Sequence, residues 1–203
     1  MNISTKLGVL LVGTLLCLST SSYATVYLFN FDSPTGTLGT SQSYTNNFVS
    51  VTATGYNNNG TTTALFGKMD GGDENGLGIA NGSDHEITTA NFVQLNLSSL
   101  LDVDPQSLSF TIGSSTGEDA WKVYESNSAG VLGTLVASGN NENPQSITVP
   151  SAQYLSFQAS AGNVLLSTIT ANTQVNTPEP MTILTLASGL ALTAFAKKRK
   201  MIA

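Results

Sequence analysis

The chain has 203 residues, of which seven are Lys or Arg and thirteen Asp or Glu, for a net charge of −6. That balance repels phosphate backbones and excludes nucleic acid as the expected partner. A single cysteine, Cys17, excludes a disulfide framework and a thiolate metal site.

The first element is a secretory signal. Lys6 supplies a positive start, Leu7 to Leu18 an apolar run, and Ser22-Tyr23-Ala24 a small-x-small cleavage pattern, so residues 1–24 read as a signal peptide cut by signal peptidase. The apolar run is shorter than the roughly 20 residues that span a bilayer. Leu16 stands before Cys17 where a lipid-bearing cysteine would need a small residue. Between residues 25 and 176 remain two lysines against twelve acids, a net −10, and no cysteine.

Residues 25–172 read as one β-sandwich domain. Short alternating runs recur at 25–31, 47–54, 62–67, 91–97, 106–112, 120–125, 133–137, 146–149, 153–159 and 163–169. Turn signals separate them, among them Ser33-Pro34-Thr35-Gly36, Asn57-Asn58-Asn59-Gly60 and Asp70-Gly71-Gly72-Asp73. Leu97 to Leu101 makes one short helical turn. Leu108, Phe110 and Ile112 share one face, as do Leu155, Phe157 and Ala159, so two antiparallel sheets packed face to face would bury a continuous core. The expected architecture is a jelly-roll-like antiparallel sandwich, with an immunoglobulin-like sandwich as the alternative.

An acidic, Gly-rich segment carries the strongest candidate site. Asp70, Asp73, Glu74, Asp84 and Glu86, with Asn75 and Asn81 between them, crowd hard oxygen ligands into a stretch able to bend around a cation. Calcium, which takes six to eight oxygens in flexible geometry, is the expected ion, although EF-hand spacing is missing. A solvated acidic loop is the alternative. His85 lies between two of the acids as a surface residue or auxiliary ligand.

Trp121 and Tyr124, beside Glu118 and Asp119, offer a possible glycan contact, an aromatic face next to hydrogen-bond acceptors. On a strand they point to opposite faces, and a lone Trp commonly fills a core. Gly113-Ser114-Ser115-Thr116-Gly117 matches the Gly-x-Ser-x-Gly hydrolase pattern, but a strand rather than a helix follows, and His85 precedes the serine. The pattern reads as a turn. Twelve scattered acids do not reveal a glycosidase pair.

Residues 173–177 read as a linker, and residues 178–203 as a sorting segment. Pro178-Glu179-Pro180 keeps the backbone extended, Met181 to Ala196 forms an apolar stretch, and Lys197, Lys198, Arg199 and Lys200 form a basic stop. At about 1.5 Å per residue the stretch makes a marginal transmembrane helix, its basic end held inside. A permanent membrane anchor is the alternative to processing.

The triplet, short apolar helix containing Gly189 and basic terminus resemble the PEP-CTERM sorting signal. The resemblance implies recognition by an exosortase, an integral-membrane thiol transpeptidase that removes the helix near the triplet. It also implies a Gram-negative host, association with exopolysaccharide, and a surface or matrix destination, with inner-membrane anchoring before processing. Gly76-Leu77-Gly78-Ile79 with Asp84-His85-Glu86-Ile87, Trp121-Lys122-Val123-Tyr124 with Gly130 to Thr134, and Tyr154-Leu155 with Asn163 to Leu166 resemble jelly-roll-like domains that often precede this tail. No established activity comes with that resemblance. The expected function is therefore a non-enzymatic, exported surface or matrix protein stabilised by calcium. A carbohydrate-binding module is the first alternative and an extracellular glycan-active enzyme the second.

Overall fold

A computed structural model describes residues 24–173 apart from 115, 116, 141 and 143. The expected signal peptide, the expected sorting motif Pro178-Glu179-Pro180, the apolar stretch and the basic stop lie outside the described residues, as do Ser115 and Thr116 of the Gly-x-Ser-x-Gly pattern. The strands are β1 (Thr25–Asn30), β2 (Gly36–Thr37), β3 (Ser41–Asn46), β4 (Val49–Asn57), β5 (Thr62–Thr63), β6 (Leu65–Met69) and β7 (Asn75–Ile79). After a 3₁₀ turn (Ser83–His85) come β8 (Asn91–Asn96), the one-turn helix α1 (Ser98–Leu101) and β9 (Ser107–Gly113). The rest are β10 (Ala120–Ser126), β11 (Thr134–Gly139), β12 (Gln145–Ile147), β13 (Tyr154–Ala161) and β14 (Leu165–Thr173).

These form two antiparallel sheets, a β-sandwich as expected. One runs β12-β9-β14-β7-β6-β2, with β1 also on β14; the other runs β11-β10-β13-β8-β4-β3, with β5 on β4. Strand β9 takes one whole edge of β14, so β1 and β7 share the other, β1 along Thr168 to Thr173 and β7 at Leu166. Strands β1 and β8 to β14 therefore make two four-stranded layers, β1-β14-β9-β12 and β8-β13-β10-β11. The excursion from β2 to β7 widens both layers. Thr25 lies opposite Thr173, so the two chain flanks leave from neighbouring strand ends.

Period-two alternation explains the core. Leu108, Phe110 and Ile112 of β9, Leu155, Phe157 and Ala159 of β13, and Val51 and Ala53 of β4 are all buried in one cluster. The opposite faces of β3 and β4 carry hydroxyls instead. Ser43 and Thr45 meet Thr52 and Ser50 at 2.9 Å, and Ser41 meets Thr54 at 3.3 Å, so cross-strand hydrogen bonds replace charge pairs on that face.

Three strands were not expected from sequence. Gly36–Thr37, placed in a turn, pairs with β6; Ser41–Asn46 buries only Tyr44; and Asn75–Ile79 falls inside the segment read as an acidic loop. The expected run 47–54 begins two residues early, because Asn47 and Phe48 are the left-handed turn joining β3 to β4.

Candidate functional site

The site is built where the chain folds back over the outside of its own sheet. Along β6, Leu65 and Gly67 alternate with Phe66 and Lys68; Leu65 joins the core, which sends Phe66 and Lys68 outward. Paired with them on β7 are Gly78 and Gly76. Lacking side chains there, β7 lets the following segment lie against backbone. A Cβ on Gly78 would meet the His85 carbonyl oxygen and the Glu86 Cα, so a glycine is what admits the 83–86 strap. Substituting Gly78→Ala is expected to lower stability by about 1–3 kcal/mol through overpacking and to loosen the strap, read as a lower urea midpoint.

Under that strap Phe66 stacks on His85, with ring centroids 4.1 Å apart. The His85 Nδ1 lies 2.9 Å from the Ala80 carbonyl oxygen. Beside this pair Lys68 is only 3% exposed. Its ammonium donates to Glu74 Oε2 at 2.6 Å, Asp84 Oδ2 at 2.7 Å and Glu86 Oε1 at 2.6 Å. Asp70 stands at the fringe, 3.9 Å away. Asp84 and His85 both adopt left-handed backbone, which aims the Asp84 carboxylate back at the lysine.

Ser114, just past β9, closes the far side. Its hydroxyl lies 2.9 Å from Glu74 Oε1 and 2.8 Å from Glu86 Oε1, and its single proton serves one at a time. Its backbone N–H donates to the Asp73 carbonyl, fixing the serine to the β6–β7 turn. That turn is closed by Asn75, which accepts from the Gly71 N–H and donates to the Gly72 carbonyl.

The electrostatics follow from these contacts. Burial alone would lower the Lys68 pKa, but hydrogen bonds to Asp84, Glu74 and Glu86 outweigh it and hold the amine above its ordinary value. The Lys68 hydrogen bond pulls Glu74 and Asp84 below the usual carboxylate range. Glu86 goes the other way. Desolvation raises it, and the neighbouring Glu74 carboxyl adds to the rise against the pull of Lys68 and Ser114. Of the three carboxyls, Glu86 is the one that keeps a proton most readily.

Of the five acids expected to bind calcium, the structure brings Glu74, Asp84 and Glu86 together, with oxygens within 4.8 Å of one another. Asp70 is peripheral, while Asp73 contributes its backbone and turns its side chain outward. Asn81 instead accepts from Thr63. What sequence reasoning missed is Lys68, whose amine fills the position a cation would take. Its only cue was numerical: it is one of two lysines in an acidic domain and stands two residues before Asp70.

Trp121 is 2% exposed and packs edge-on against Phe110 at 5.1 Å. It has no face to offer a sugar, which corrects its place as a glycan contact. Tyr124 lies opposite Leu135 and is half-buried, its alternation with Val123 putting it on the outer side of the sheet. The two do not form one site. A separate cavity of about 380 Å³ opens near the β6–β7 turn, with Asp32, Asp73, Asn75, Glu142 and Thr168 in its lining. No family model, curated protein or solved structure matches the chain.

Proposed function

We propose that this is an exported, non-enzymatic surface or matrix protein whose sandwich is a stable body displayed outside the cytoplasm, sorted by an exosortase. The observation that carries a structural role is the closure of the Lys68 cluster. Lys68, Glu74, Glu86 and Ser114 spend their hydrogen bonds on one another, so the groups with most chemical potential act as a clip between strands. The jelly-roll reading is supported by the strand orders β1-β14-β9-β12 and β8-β13-β10-β11, the wiring of two interleaved Greek keys.

The address rests on the residues at the two ends, with Lys6 and the Lys197 to Lys200 cluster held inside. In a host carrying an exosortase, intact mass of the extracellular form is expected to show cleavage near Ala24 and loss of the segment after the Pro178-Glu179-Pro180 triplet. An exosortase deletion should leave the tail on, in the inner membrane. Full-length protein in the cytosol would overturn the proposal.

A second reading, carbohydrate binding, is favoured by the 380 Å³ cavity, whose size and lining of carboxylates, amide and hydroxyl suit a sugar. Binding on a glycan array that is lost in an Asp32→Ala variant would support it.

A further inference from the structure

We propose that Lys68 and Glu86 condense into an intramolecular amide, a covalent cross-link that takes the place of a disulfide in a domain without cysteine. The geometry supplies each part such a reaction needs. The nucleophile is a buried amine held at 2.6 Å from Oε1 of a carboxyl that is itself only 4% exposed. Contact at that distance sets nitrogen beside the acyl carbon, the kind of fixed approach that replaces a bimolecular encounter. A second carboxyl, Glu74, touches the same amine at 2.6 Å and shares Ser114 with Glu86, so it can carry protons between the reacting groups.

Glu86 is the acceptor because a neutral carboxyl is an electrophile and a carboxylate is not. Three carboxyls around one ammonium leave an excess of negative charge, and Glu86, 4% exposed against 36% for Glu74 and 70% for Asp84, is the one whose neutral form burial favours most. Asp84 is 70% exposed and held as an anion, so it remains a spectator that steadies the lysine.

The step balances. The Lys68 ammonium passes one proton to Glu74, and the freed Nζ lone pair forms a bond to the Glu86 acyl carbon while the C=O pair withdraws onto oxygen. The Ser114 hydroxyl donates to that oxygen. Glu74 then gives its proton to the departing hydroxyl, the C–O bond breaks with its electrons leaving on water, and Glu74 takes a second proton from nitrogen. The products are an amide that retains one N–H, one water, and a proton on Glu74 that passes to solvent. No oxidant or cofactor enters.

The test is the mass of the folded, exported protein and of its peptides. Wild-type protein is expected one water lighter than its sequence. After denaturation and trypsin digestion it should give a branched peptide joining the segments around Lys68 and Glu86, with no cleavage after Lys68. A Lys68→Arg variant, which keeps the charge without the nucleophile, is expected at full mass. Wild-type protein at full mass, cleaved normally after Lys68, would overturn the proposal, and that outcome can be read even if the variant fails to fold.

Discussion

Replacing Lys68 with methionine is expected to destabilise the domain by about 3 kcal/mol, read as a lower urea midpoint. Removing one partner of a buried ion pair costs about 3–5 kcal/mol, because the remaining charge is stranded away from water. The lower end applies here. Glu74 and Asp84 are 36% and 70% exposed and can recover solvent, whereas Glu86 can escape ionisation only by keeping its proton. Methionine preserves much of the side-chain volume, so the loss reports the amine and its bonds, whether ionic or covalent, rather than a void. A loss under about 0.5 kcal/mol, the size of an ordinary surface change, would mean that the cluster holds nothing together.

Truncating Trp121 to alanine is expected to cost about 3–5 kcal/mol, the range for removing a large aromatic from a packed core. Trp121 meets Phe110 at 5.1 Å, Phe110 meets Phe157 at 5.2 Å, and a Cβ on Gly139 would run into the indole ring. Three strands, β9, β10 and β13, therefore converge on this ring stack across both sheets. Trp121→Phe should lose far less, because an edge-on aromatic partner for Phe110 survives. As the sole tryptophan, Trp121 also gives a direct readout: its native emission should be blue-shifted and resist quenching by iodide. Ready quenching in the folded protein would return it to the surface as a sugar-stacking candidate.

Trp121 shows how far the sequence could be read. The strands whose faces alternate sharply, such as Leu108-Ser109-Phe110-Thr111-Ile112, were legible because burial on one side alone writes a period of two. Strand β3 was not, since Ser-Gln-Ser-Tyr-Thr-Asn buries a single aromatic and spends its other face on the hydroxyl ladder to β4. Strand β7 hid behind its glycines: Gly76 and Gly78 look like loop residues, yet they are glycine because the β14 backbone and the strap press on them. The same reason concealed the site. Five acids in a Gly-rich segment invite a metal, and nothing in linear spacing reveals that β6 lifts Lys68 into their midst or that β9 delivers Ser114 from forty residues beyond Glu74. Three of the acids do converge, so the chemistry of the cluster was half visible. Its own cation was not.

The cluster also joins segments that would otherwise be separate. The β6–β7 turn, the strap after β7 and the end of β9 share Lys68, Glu86 and Ser114, and the strap then returns to the sheet through the Ile87 to Val164 bridge. Such a network fixes register where glycine-rich strands specify it weakly. It does so without a disulfide, in a domain that contains no cysteine.

Whether the Lys68 side chain stands in for a metal ion is tested most directly by thermal melting of the wild-type and Lys68→Met proteins, each with EDTA and with millimolar calcium. The wild type is expected to melt at the same temperature in both, because Lys68 already fills the centre of the acids. The variant, with Glu74, Asp84 and Glu86 left facing one another, is expected to gain stability from calcium by linkage. A wild-type melting temperature that rises with calcium, beside a variant that responds no more strongly, would contradict the account.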